Sequence, residues 1–216
     1  MKIKPFILCA ILSIVMTPSI AKDKPNLAED MPYLYQSLGP CFRASLNDDY
    51  KEAAKWCKQE CNNGNAESCN SLGWLYKNGQ GVKQDFSQAV KLFEQACKEG
   101  SSYGCTNLGI QYENGQGVKQ DYSQASRAYL RGCSGGNGIA CFNYGMFQYK
   151  RQKYSRAAEW WRKACNNGYA EGCGNLGLLY RDGKGVEQDH NQAITLFQKA
   201  CEREHETSCH NLKQLQ

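Results

Sequence analysis

Ten cysteines fall into five pairs of identical spacing, and nothing else limits the fold of this chain as tightly. The pairs are Cys61/Cys69, Cys97/Cys105, Cys133/Cys141, Cys165/Cys173 and Cys201/Cys209, each second member eight positions after the first. The first members are separated by 36, 36, 32 and 36 residues. A period of that length marks a repeat array, in which each unit buries its apolar face only by stacking on its neighbours.

Within each unit the apolar pattern is helical. A first segment carries Cys69, Leu72, Gly73, Leu75 and Tyr76, with counterparts at Cys105, Leu108, Gly109 and Tyr112, and at Cys173, Leu176, Gly177, Leu179 and Tyr180. Spacings of three and four put these residues on one helix face. The recurrent glycine reads as a place where a neighbouring helix comes close. A second segment alternates small and large residues: Ala89, Leu92, Phe93 and Ala96, then Ala125, Ala128, Tyr129 and Gly132, then Ala157, Trp160, Trp161 and Ala164, then Ala193, Leu196, Phe197 and Ala200. The loop between the segments reads NGQGVKQD at 78–85 and 114–121, and DGKGVEQD at 182–189. Asn-Gly or Asp-Gly ends the first helix at a residue that tolerates positive φ. Asp85, Asp121 and Asp189 then N-cap the second helix, and Gln88, Gln124 and Gln192 three residues on predict a capping box. The G-x-G in this loop is not a nucleotide fingerprint, because no strand precedes it and the third glycine is missing. The Cys133 unit is shorter: its loop shrinks to KRQKYS, Lys153 replaces the capping aspartate, and its hairpin is expected to turn more tightly.

These readings predict an all-α chain, an α/α superhelix (solenoid) of disulfide-stapled helical hairpins. In each pair the first cysteine ends one helix and the second sits about one turn into the next. A bridge closing such a loop of about nine residues stabilises by roughly 2–3 kcal/mol in the chain-entropy model. Several of them are large beside a net domain stability of about 5–15 kcal/mol. Cys41 and Cys57 are left over, placed to cross-link the two helices of an N-terminal cap, in which Tyr50, Ala53 and Trp56 match Phe86, Ala89 and Leu92. Metal binding is the weaker reading of the cysteines, since C-x7-C lacks zinc-ligand spacing and C-x-x-C is absent.

The expected organisation is a signal peptide over 1–21, a loose segment over 22–32 and a repeat domain over 33–216. That domain divides into a capping hairpin 33–60, repeats 61–96, 97–132, 133–164 and 165–200, and a C-terminal cap 201–216. The signal reading rests on Lys2 and Lys4, the apolar run Phe6 to Met16 and small residues at Ser19 and Ala21. The apolar run is short for a bilayer span, and no other span is visible after signal cleavage. Cys9 precedes most of that run, unlike a lipid-anchored cysteine. Removing Cys9 from the thirteen cysteines leaves twelve, an even number suited to an oxidising compartment. A periplasmic or secreted protein is therefore expected. Its net charge falls from +5 to +3 once 1–21 is removed. That mild value, without a basic stripe, argues against nucleic acid as a partner.

At these residues the chain resembles the Sel-1-like repeat family, relatives of the tetratricopeptide repeats. The matching text is A-x-x-x-N-x-L-G-x-L-Y-x-x-G-x-G-V-x-x-D-x-x-x-A in local variants, as at 66–89 and 170–193. The added C-x7-C pairs are similar to those of the Helicobacter cysteine-rich proteins. The resemblance implies a superhelix whose concave face takes a protein or peptide. It also brings two alternatives: slow β-lactamase or penicillin-binding activity, a label carried by the cysteine-rich subfamily, and neutralisation of a toxic effector by an immunity protein.

No catalytic set can be assembled from the residues, and no cofactor or metal is implied. S-x-x-K occurs once, at Ser19–Lys22 across the expected cleavage point, while S-D-N and K-T-G are absent. The three histidines are His190, His205 and His210, and H-E-x-x-H is not met because position 209 is cysteine. The candidate binding residues are a ladder of amides, Asn107, Asn143, Asn175 and Asn211, with Ser71 in the first slot. An amide both donates and accepts, so it can hold peptide backbone or tie helices together. Trp74, Phe142, Tyr103, Tyr169 and one of Trp160 or Trp161 are candidate aromatic anchors, either for a partner or for the core.

Overall fold

The structure is a computed structural model that describes residues 38–215. The expected signal peptide (1–21), the segment 22–32, residues 33–37 of the cap and Cys9 lie outside the described residues. The described residues form eleven helices and no strand. In chain order they are α1 Pro40–Leu46, α2 Tyr50–Asn62, α3 Ala66–Asn78, α4 Phe86–Lys98, α5 Ser102–Asn114, α6 Tyr122–Ser134, α7 Gly138–Lys150, α8 Tyr154–Asn166, α9 Ala170–Asp182, α10 His190–Cys201 and α11 Glu206–Leu215. Each helix packs on the next, and α3, α5, α7 and α9 also touch one another in sequence. First helices therefore lie side by side along one face. Loops gather at one edge of the stack and the cysteine-bearing turns at the other.

Six disulfides form. Cys41–Cys57 joins the two helices of the first hairpin. Cys61–Cys69, Cys97–Cys105, Cys133–Cys141, Cys165–Cys173 and Cys201–Cys209 each join the end of a second helix to the start of the next first helix. The recurrent glycine is where the hairpin closes. A methyl group on Gly73, Gly109, Gly145 or Gly177 would lie 2.5–2.7 Å from the ring of Phe93, Tyr129, Trp161 or Phe197. One edge of each ring abuts the helix backbone, and no side chain fits between. Cys41 and Gly145 both stand five residues before the end of their helix, and Cys57 and Trp161 both stand seven residues after the start of theirs. The Cys41–Cys57 bridge thus replaces, in the cap, the ring-on-glycine contact of the other hairpins.

The caps form with one change. Asp85 and Asp189 accept the backbone N–H of Gln88 and Gln192 at 2.9 Å, and Asp121 accepts those of Ser123 and Gln124. The expected return bond of a capping box is not made. The backbone N–H groups of Asp85, Asp121 and Asp189 instead donate to the carbonyls of Tyr76, Tyr112 and Tyr180. The loop folds back on its own first helix and takes those donors. Gln84, Gln120 and Gln188 complete the closure by donating to the carbonyls of Lys77, Glu113 and Arg181. These are carbonyls the helix end leaves unpaired. Gly79, Gly115 and Gly183 close the first helices in the left-handed region. In the short hairpin Arg151–Lys153 is the whole connection, Gln152 takes positive φ without being glycine, and Lys153 makes no side-chain cap.

Candidate interaction face

The amide ladder lies on the first helices, and its members are half-buried. Asn107 Nδ2 donates to Asn70 Oδ1 at 2.8 Å, joining α5 to α3. Asn175 Nδ2 points to the Met146 thioether at 3.7 Å, joining α9 to α7. Asn143 hydrogen-bonds the Tyr129 hydroxyl, which donates to Glu113 Oε2 at 2.6 Å. Burial first, and then the Glu113 carboxylate, push that phenol well above its ordinary value. Asn211 is half-buried on α11, and Ser71 is buried. Three rungs are therefore engaged with neighbouring helices, and each of these residues remains partly exposed.

A second row was not anticipated from the sequence. Three residues after Ser71, Asn107, Asn143 and Asn175 stand Trp74, Ile110, Met146 and Leu178, and all four are half-buried. The i, i+3 spacing puts them on the same side of each helix as the amides. The signal was present: one large apolar residue per unit at a slot outside the buried set. Buried amides were missed too. Asn70 is 1% exposed and Gln111 0% exposed, the latter at the slot that Leu75 and Leu179 fill in other units.

Among the aromatic candidates, Trp74 packs its inner side on the first core cluster. Phe142 is taken up between Trp161 and Tyr169, with ring centroids 6.3 and 5.2 Å away, and its carbonyl accepts from Trp161 Nε1. Trp161 is core, while Trp160 is half-buried under Lys163, 4.0 Å from its ring centre, and edge-on to Tyr144. Tyr169 is half-buried, and its phenol is pushed up to about 12 by burial and by Glu171. Tyr103 is half-buried at the start of α5.

The histidines have structural surroundings. His190 opens α10 and is exposed. His205 Nδ1 lies 2.7 Å from the Ser208 hydroxyl. That Ser–His contact occupies the place where Asn65, Ser101 and Asn137 cap their helices, and Ser208 is 1% exposed. The His205 carbonyl accepts the backbone N–H groups of Ser208 and Cys209, so the pair closes the start of α11. His210 contacts Gln214. Among the described residues no cluster of three or more His, Cys, Asp or Glu could hold a metal ion, and no helix is long and apolar enough to cross a membrane.

Comparison with known proteins follows the same periodicity. The Sel1 repeat model matches four times, over 66–101, 102–137, 138–169 and 170–205, each match starting at or next to the first residue of a first helix. Among solved structures, c5321, a protective antigen present in uropathogenic Escherichia coli strains, is 31% identical with a TM-score of 0.69. The similarity covers 76% of this chain and 36% of that one. A Sel1 repeat protein from Oxalobacter formigenes is 23% identical with a TM-score of 0.73, over 80% of this chain and 72% of that one. A 46-residue stretch is 44% identical to HcpE of Helicobacter pylori, whose name assigns it a provisional beta-lactamase activity. It covers 21% of this chain and 13% of HcpE. The chain thus spans well under half the length of c5321 and HcpE.

Proposed function

We propose that this chain, which belongs to the Sel1 repeat family, is an exported protein-binding module that grips a protein or peptide along its first-helix face. The observation that supports this reading is the pair of parallel rows on that face. Trp74, Ile110, Met146 and Leu178 offer partly exposed apolar surface once per hairpin, beside an amide row that can pair with peptide backbone. A rigid receptor binds with less ordering cost than a flexible one. Six disulfides supply that rigidity and fit an oxidising location outside the cytoplasm.

The test is capture from envelope extract by the oxidised protein, with and without two sets of changes. The first set is Asn107→Ala, Asn143→Ala and Asn175→Ala; the second is Trp74→Ala and Met146→Ala. Loss of a specific partner in both sets, with helicity and melting retained, is the expected result. Capture that neither set alters would remove this face from the reading. Nitrocefin turnover that survives further purification would replace it with the hydrolase alternative.

A further inference from the structure

Each long loop reaches beyond its own hairpin. Gly81 lies on Tyr50, the first residue of α2, so closely that an added Cβ would come within 2.0 Å of the Tyr50 carbonyl oxygen. Gly117 lies in the same way on Phe86, the first residue of α4, at 2.3 Å, and Gly185 on Tyr154, the first residue of α8, at 2.4 Å. All three glycines have positive φ. The next residue, Val82, Val118 or Val186, packs on the buried core. Every long loop is thus a glycine turn seated on the start of the preceding hairpin's second helix. Tyr50, Phe86 and Tyr154 are half-buried under these turns.

Where a complete hairpin follows, one such seat is empty; His190, at the start of α10, is followed only by α11 among the described residues. Tyr122, the first residue of α6, would be covered by the loop of the α7–α8 hairpin, and that hairpin has only Arg151–Lys153 in its place. Tyr122 is 51% exposed, and among the described residues the other exposed large apolar side chain is Ile139, at 39%. The turn that replaced the loop is basic. Lys150, Arg151, Lys153 and Arg156 lie within seven positions, all exposed, and exposed Lys119 stands three residues before Tyr122. A chain of contacts places this turn beside the seat. Lys150 Nζ is 3.7 Å from Glu113, whose carbonyl accepts from Gln120, whose amide also donates to the Tyr122 hydroxyl. Arg151 is held over the Phe147 ring at 4.4 Å. The carboxylates that contacts tie to this side are Glu113, Asp121 and, through the Tyr112 hydroxyl, Glu94, against the five cations Lys119, Lys150, Arg151, Lys153 and Arg156.

We propose that the Tyr122 seat receives an acidic, glycine-bearing turn of a partner protein, filling in trans the place that three sibling loops fill in cis. The filled seats define the shape, a left-handed glycine against the helix start followed by a small apolar residue. The basic rim defines the charge. This surface is on the loop edge and is separate from the first-helix face.

The probe is a disulfide-cyclised peptide presenting Glu-Asp-Gly-Glu-Gly-Val-Glu, titrated against the full oxidised chain at low salt. Two control peptides carry alanine at both glycines or lysine at every acidic position. The expected result is saturable binding of the first peptide and binding about tenfold weaker or worse for either control. Tyr122→Ala and the pair Arg151→Glu with Lys153→Glu should each weaken it by a similar factor. Replacing Arg151–Lys153 with the sibling loop Gly-Gln-Gly-Val-Lys-Gln-Asp should abolish it. The first-helix changes used above should leave it untouched, which separates this proposal from the proposed function. No saturable binding, equal binding of the controls, or binding unaffected by the Tyr122 and rim variants would overturn the proposal. So would a self-association, seen by sedimentation, that Tyr122→Ala abolishes, since a second copy would then be the occupant.

Discussion

The α5–α6 and α7–α8 hairpins are built to the same plan and closed in different ways. Both rest an aromatic ring on a helical glycine, Tyr129 on Gly109 and Trp161 on Gly145, and both are stapled to a neighbour by a C-x7-C bridge. The first spends seven residues, Gly115–Asp121, on its connection, and these reach back to cover Phe86. The second spends three and covers nothing. Where a leucine pair, Leu176 and Leu196, packs within the α9–α10 hairpin, the short hairpin has Tyr144 edge-on to Trp160, with Lys163 over the indole. Both of these rings are half-buried, where Leu176 and Leu196 are buried. The long loop thus closes its own hairpin and also ties that hairpin to the one before it, while the short turn does only the first.

The largest expected effect breaks the long loop. Gly117→Ala forces a Cβ onto the Phe86 backbone and a left-handed φ onto alanine, which together should cost about 3 kcal/mol. Gln152→Ala in the short turn should stay within about 0.5 kcal/mol. Urea midpoints check both, and equal losses would remove the distinction between the two closures. Next come the staples. Replacing Cys97 and Cys105 by serine should cost about 2–3 kcal/mol, and so should the Cys133/Cys141 pair, because both close loops of the same length. A clear inequality would mean that native-state strain differs between the hairpins.

Smaller changes sharpen the comparison. Lys153→Asp should supply the missing N-cap and stabilise by about 1 kcal/mol in thermal melts, while Asp121→Ala should lose about as much. Gln152→Gly removes the left-handed penalty at a cost in chain entropy, for a net gain of about 0.5 kcal/mol. The subtlest test is pH. Burial raises the Glu67 carboxyl above its ordinary 4.5 against a hydrogen bond from Ser101 that lowers it, and Ile139 stands at this position in the short hairpin. The folded chain therefore holds the Glu67 proton more tightly than the unfolded chain. Stability from this site is greatest below 4.5 and falls as pH rises through the raised folded value. Glu67→Gln should flatten that fall, and an unchanged pH slope would show that Glu67 is not its source.

Much of the site was legible in part only. The positions of Asn107, Asn143 and Asn175 on one face could be read from the period, but their partners could not. Asn107 meets Asn70, which lies beside the corresponding ladder slot, Ser71, and Asn175 meets a sulfur. Phe142, equally visible as a candidate, is largely absorbed between Trp161 and Tyr169. The capping glutamines were read for the wrong bond, because the carbonyls of Tyr76, Tyr112 and Tyr180 compete for the aspartate N–H groups only once the loop has folded back.

By itself the sequence determined the helices, their order, the hairpin-closing glycines, the capping aspartates and the partner of every described cysteine. Each of these is a local matter, settled by spacings of a few residues repeated along the chain. Tertiary structure alone decided which surface each loop covers, which amides meet, and that Tyr122 stays open. Those contacts join residues about thirty or more positions apart, such as Gly117 with Phe86 and Asn107 with Asn70. They depend on how far each hairpin is offset and rotated on the one before, which the packing of many side chains sets together.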